Sequence, residues 1–295
     1  MSMRRTTRGT ATPAGSEPAR SGAGAGKAAC SCCALFAALA LILSGCSASR
    51  DAPSAAQPAP LEEQRPPSQA GPAEPSAADI PGPEAKSPPV PAFDPDKPLV
   101  IEMGNTSRKE VALTIDDGWN RDDRILDLLE RYGIRCTVFV IGGRGVAEAS
   151  PDWIRRMDRL GFEVCTHTYS HYKLTDHPVE WIVDDIRKGQ DVIASVTGKR
   201  YPYMRPPGGF VNEAVRAAAS RCGCHIVMWS NEFGDTSQSI TADGEVGAVL
   251  SRLRNGDIIL CHFGGHHTYE ALQRLIPAIR DRGYRFVTLS ELLSP

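Results

Sequence analysis

Val111-Ala-Leu-Thr-Ile115-Asp116-Asp117-Gly118 sets five apolar or β-branched residues directly in front of two carboxylates and a glycine. The run is too short for a helix and has no polar alternate, so it reads as a strand buried on both faces. Similar runs recur at Cys136–Ile141, Phe162–Thr166, His225–Trp229, Asp257–His262 and Arg285–Leu289. Between them lie segments with helical spacing: 122–131, 151–160, 179–196, 212–221, 243–253 and 269–282. Pro151 near the start of the second helix and Gly161 after its end mark its limits. Strand and helix in alternation with short links predict an α/β fold, a parallel sheet covered by helices. About seven such units fit a (β/α) barrel slightly smaller than the eightfold one, with an open doubly wound sheet as the alternative. In either fold, polar residues at the carboxyl ends of strands are the site candidates.

Outward from this region the composition changes. Residues 1–29 are basic and rich in small residues, and residues 28–43 form an uncharged apolar run ending near Leu43-Ser-Gly-Cys46. A basic start, a short apolar core and small residues describe a secretory signal, predicted over 1–45. Leu-Ser-Gly-Cys resembles the lipobox of bacterial lipoproteins, which makes Cys46 the lipidated first residue of a mature chain. An uncleaved anchor helix is the alternative, and both readings place the domain outside the cytoplasmic membrane. Residues 47–98 hold 14 of the 23 prolines, so 46–98 is predicted to be a disordered tether. Such a tether reaches about 40 Å as a coil and about 150 Å extended. The folded domain is placed at 99–295.

A net charge of −2 gives no nucleic-acid footprint, and no protein partner is indicated. Of nine cysteines, Cys136, Cys165, Cys222, Cys224 and Cys261 fall in the domain, an odd number set in apolar runs. Buried free thiols are the expectation there, and no paired C-x-x-C knuckle suggests a zinc ribbon.

Five polar clusters fall at or after strand-like runs. In Asp116-Asp117, one carboxylate suits a metal and its neighbour a base, against an ordinary helix cap. In His167-Thr-Tyr-Ser-His171, two imidazoles four apart meet on one side of a helical turn and suit a shared ion. In Arg205-Pro-Pro-Gly208-Gly209, the first N–H after two prolines belongs to Gly208 and can serve an oxyanion, against a plain Pro-Gly turn. The fourth cluster is Trp229-Ser-Asn-Glu232-Phe-Gly-Asp235, and the fifth is Leu260-Cys-His262.

In order, these clusters resemble the five motifs of the polysaccharide deacetylases, the NodB-homology family 4 carbohydrate esterases: T-F-D-D-G, H-[ST]-x-x-H, R-x-P-Y, D-x-x-D-W and L-x-H. The resemblance covers 110–293 and implies a distorted (β/α)7 barrel. It implies that Asp117, His167 and His171 bind a divalent metal, usually zinc and sometimes cobalt. It makes Asp116 the general base and His262 the acid for the leaving amine. It pairs Asp235 with Arg205, which orients Asp116, gives the oxyanion the Gly208 N–H, and lines the acetyl pocket with Leu260. Gly208 and Thr236 stand where the family has Tyr and Trp, and Phe263 where many relatives have Asp, leaving His262 without that partner. Trp119 stands where Pro is common and offers replacement groove surface. The expected activity is N-deacetylation of an amino-sugar polymer, most simply peptidoglycan (GlcNAc or MurNAc) or chitooligosaccharide. The alternatives are an O-acetyl esterase on xylan or another polysaccharide, and a non-catalytic wall-binding lipoprotein.

Overall fold

The computed structural model describes residues 89–97 and 99–295. The predicted signal over 1–45, the Cys46 lipidation site and most of the tether lie outside them. Ahead of the predicted domain start at 99, the Phe93 ring packs on His225 with centroids 4.7 Å apart.

The elements in chain order are β1 (Val100–Ile101), β2 (Glu110–Asp117), α1 (Asp123–Arg131), β3 (Thr137–Val140), α2 (Pro151–Arg159) and β4 (Glu163–Thr166). Then come α3 (Val179–Thr197), β5 (Tyr203–Met204), α4 (Glu213–Arg221), β6 (His225–Val227), β7 (Asn231–Glu232) and α5 (Ala242–Arg252). The chain ends with β8 (Ile258–Phe263), α6 (Thr268–Asp281), β9 (Arg285–Phe286) and α7 (Leu289–Leu292). The strands run in the order β1-β6-β5-β4-β3-β2-β8-β7, with β9 on β2. Every ladder is parallel. Strands β2 to β8 form the expected seven-stranded distorted barrel. Its wall is incomplete between β6 and β7, which make no ladder among the described residues. The link between them bridges the gap: Met228 N–H donates to Ile101 O, and Ser230 N–H to Ile258 O.

Alternation along β2 decides what the barrel holds. Val111, Leu113 and Ile115 face outward into the large core beneath the helices. Ala112 faces the inner cluster with Phe139, Tyr203, Val227 and Ile258, so Thr114 and Asp116 share that inner face. Helix α1 buries Ile125, Leu126, Leu128 and Leu129 in the outer core, each contributing about 1.5–3 kcal/mol. Its start is capped by Asp122, whose side chain accepts from Arg124 N.

The expected last strand, 285–289, is shorter than its sequence suggests. Pairing stops at Phe286, and Thr288 caps α7 in a reciprocal capping box with Glu291. Leu289 and Leu292 of α7 fill the amino-terminal end of the barrel. The buried Glu163 carboxylate there accepts from Thr137 Oγ1 at 2.8 Å and Ser290 N at 3.2 Å. All five domain cysteines are free, and only Cys222 is not fully buried.

Candidate active site

The opposite mouth of the barrel gathers the polar clusters. Asp116 ends the inner row of β2 and lies in register with His262 of β8. Continued alternation would send Asp117 outward, but its backbone is left-handed at φ 75° and Gly118 follows at φ 103°. Its carboxylate therefore lies 3.5 Å from His167 Nε2 and 3.2 Å from His171 Nε2. His167 follows β4, and its Nδ1 sits 2.8 Å from the Arg205 carbonyl. That carbonyl can only accept, so Nδ1 carries the proton and Nε2 turns its lone pair to the mouth. The helical turn expected at 167–171 does not form. Thr168 and His171 are left-handed, at φ 67° and φ 55°, and His171 N donates to Thr168 Oγ1 at 3.1 Å. Short polar side chains compete with a helix for backbone groups, and here they win. Strained conformations at non-glycine residues cost on the order of 1 kcal/mol or more each and cluster at functional sites.

Donor atoms of Asp117, His167 and His171 all lie within 4.8 Å of one another, near enough to share one ion. Burial lowers the His167 pKa and keeps the ring neutral, as a ligand must be. Burial works against ionisation of Asp117, but the His171 hydrogen bond and the surrounding imidazoles outweigh it and hold its pKa low. One carboxylate and two oriented imidazoles fit a divalent metal and leave positions open for substrate.

Behind this trio, Arg205 is fully buried and each of its three side-chain nitrogens donates. Nη1 reaches Asp116 Oδ1 at 2.7 Å and Thr114 Oγ1 at 2.9 Å. Nε reaches Val227 O at 3.0 Å and Nη2 reaches Met228 O at 2.8 Å. The guanidinium also lies over the Phe139 ring at 4.3 Å. The expected Asp235–Arg205 pair is therefore corrected. Asp235 is occupied by β8 and α6, accepting from His262 Nδ1 at 2.8 Å, His262 N at 2.7 Å and Thr268 Oγ1 at 2.6 Å. It also supplies the partner that Phe263 fails to give His262. Burial disfavours the imidazolium, but the Asp235 hydrogen bond and the Asp116 charge prevail and raise the His262 pKa to about 9.

Gly208 sits in a tight turn at φ 68°, where a Cβ would meet the Phe210 ring at 2.7 Å. Leu260 is buried on β8 one residue from Cys261 and two from His262. Trp119 is half exposed, its ring edge-on to His171 at 5.0 Å. Glu232 accepts from Trp229 Nε1 at 3.1 Å. Sequence reasoning missed two further exposed aromatics, Tyr172 and Phe210, and the hydroxyl of Thr268. Each aromatic stands within two residues of a motif, which was the available signal. Thr268 left none.

Water activation by a metal, with a base and an acid on either side, is the chemistry this mouth can perform, which places the chain among metal-dependent hydrolases. The polysaccharide deacetylase family model matches residues 103–227, which hold the first three motifs. A peptidoglycan-N-acetylglucosamine deacetylase of Bacillus cereus is 33% identical over 207 residues, covering 68% of this chain and 95% of that protein. A solved peptidoglycan N-acetylglucosamine deacetylase, in complex with 4-naphthalen-1-yl-N-hydroxybenzamide, is 31% identical with a TM-score of 0.62, covering 66% of this chain and 92% of the other. A family 4 carbohydrate esterase pseudoenzyme from Bacillus anthracis is 25% identical with a TM-score of 0.63, covering 67% and 70%. The chain belongs to the polysaccharide deacetylase family and is a metal-dependent deacetylase. Equal likeness to a pseudoenzyme means that the fold alone does not carry activity. The side chains at the mouth must.

Proposed function

We propose that this chain removes N-acetyl groups from the amino sugars of peptidoglycan, with Asp117, His167 and His171 holding zinc. The observation that carries this is the Asp117 carboxylate facing two imidazoles while Asp116, beside it, is held by Arg205. Bound there, the ion supplies Lewis acidity to the acetyl carbonyl and to the attacking water. Asp116 takes the proton of that water, with its other oxygen fixed by Arg205. The Gly208 N–H donates to the developing oxyanion, and Leu260 packs on the acetyl methyl group. His262, protonated and held by Asp235, delivers a proton to the departing amine. Trp119 offers a face to the sugar ring. The basic and apolar sequence over 1–45, Cys46 and the proline-rich 46–98 support a lipid-anchored enzyme working outside the cytoplasmic membrane.

The test is acetate release by the zinc-loaded protein from peptidoglycan, chitooligosaccharide and acetylated xylan. Release from the first two and not the third is expected. Asp116→Asn should keep its metal and lose activity about 100-fold or more. Preference for xylan would make the protein an O-acetyl esterase, and wild-type turnover by Asp116→Asn would remove the assigned base. Replacing Cys46 with Ala should abolish lipid labelling and release the protein from membranes.

A further inference from the structure

We infer that Arg144 is an anion-recognition residue that selects glycans carrying a carboxylate beside the acetamide to be cleaved. The inference rests on the deacetylase reading above and narrows its substrate. Arg144 follows β3 within Gly142-Gly143-Arg144-Gly145 and holds a left-handed φ of 54°, although a glycine stands on either side. A strained non-glycine position persists where the side chain is required. Its guanidinium carbon lies 5.3 Å from the Trp119 ring centroid and 5.5 Å from that of Tyr172. Trp119 in turn contacts His171. Nη1 donates to the Ser170 carbonyl at 3.2 Å, tying the group to the loop between His167 and His171. Arg144 makes no ion pair among the described residues, and it is exposed.

These contacts hold the guanidinium between two rings and use one of its five N–H donors. The rest form a fork suited to a carboxylate, one aromatic ring away from the metal trio. In a muramoyl sugar, the carbon next to the one bearing the acetamide carries an ether-linked carboxyl group. In a chitooligosaccharide the same carbon carries a neutral hydroxyl. Arg144 distinguishes the two by charge, from a position that touches the same Trp119 ring as the ligand His171.

The experiment compares Arg144→Gln with wild type on chitooligosaccharide and on a muramoyl oligosaccharide of equal length with free carboxylates. For the muramoyl substrate, kcat/KM should fall about 10-fold, chiefly through KM. It should stay within about 2-fold for the neutral one, and Arg144→Lys should recover part of the loss. Equal losses on both substrates, or none on either, would overturn the assignment. Binding to the Asp116→Asn protein, read by tryptophan fluorescence, separates this inference from the function it rests on. Tighter binding of the muramoyl glycan that disappears with Arg144→Gln upholds it even if no acetate is released by wild type. Equal binding of the two glycans rejects it.

Discussion

Arg205 holds one oxygen of Asp116 at 2.7 Å while the other lies 3.8 Å from His167 Nε2, so one buried cation turns the carboxylate proposed as the base toward the Asp117, His167 and His171 cluster. Both side chains are almost wholly buried, and the Arg205 carbonyl also orients His167. Removing the guanidinium leaves a buried carboxylate and two backbone carbonyls without donors. Arg205→Ala is expected to cost about 3–5 kcal/mol of stability. Arg205→Lys keeps the charge but cannot reach four acceptors, and should lose activity about 10-fold or more while folding. Urea unfolding and acetate release check both variants. A Lys variant with wild-type turnover would show that charge alone suffices.

Asp117 and His171 are both left-handed, which limits how the metal site can be probed. Ala at 117 would combine backbone strain with the lost ligand. Asn tolerates that conformation and removes only the charge. Asp117→Asn should therefore melt near the wild-type temperature when metal-free. Zinc at about 1,000 times its dissociation constant should stabilise wild type by about 4 kcal/mol and the variant far less. Thermal melts with and without chelator decide this, and an equal zinc response in both proteins would remove Asp117 from the ligand set.

Much of this site was legible because its residues follow strands with strong apolar signatures. Val111–Ile115 and residues 136–141 announced β2 and β3, and the acids and glycines after them fell at the mouth. Tyr203–Met204, by contrast, is two residues long between Pro202 and Arg205-Pro206, and Asn231–Glu232 is polar, so neither carried a strand pattern. Spacing gave the closeness of His167 and His171 but not their loop, which depends on local Thr and Ser hydrogen bonds. The partner of Asp235 could not be read from order in the chain. It depends on which side of β8 the 233–240 loop packs, and the backbone N–H of His262 takes part in that choice.

The Asp235–His262 pair gives a pH dependence with a definite sign. The His262 pKa of about 9 in the folded protein exceeds the ordinary value of 6.5. Its contribution to stability is thus complete below pH 6.5 and lost as pH rises through about 9. In the proposed mechanism the same proton serves the departing amine, so activity should fall on the alkaline side. Asp235→Asn removes the charge that holds the proton. It should move the alkaline limb of kcat/KM toward neutrality and destabilise the protein more at pH 6 than at pH 10. Unchanged limbs in the two profiles would take His262 out of the acid role.

Glu245, in the first turn of α5, is fully buried behind this pair. Its Oε1 accepts from His267 N at 3.2 Å, while Oε2 has no partner among the described residues. The helix start favours a charged carboxylate, but burial and then the neighbouring Asp235 charge oppose it more strongly and raise the pKa to about 7. A carboxyl group raised in the folded state binds more protons there than in the unfolded chain. Stability should decline as pH rises from 4.5 to about 7 and stay level beyond. Glu245→Gln removes the titration and keeps the shape. Its melting temperature relative to wild type should be higher at pH 8 than at pH 4.5, because only wild type must bury a charge at the higher pH. Parallel curves for the two proteins would mean that Glu245 ionises freely and that its orphaned oxygen is satisfied by solvent.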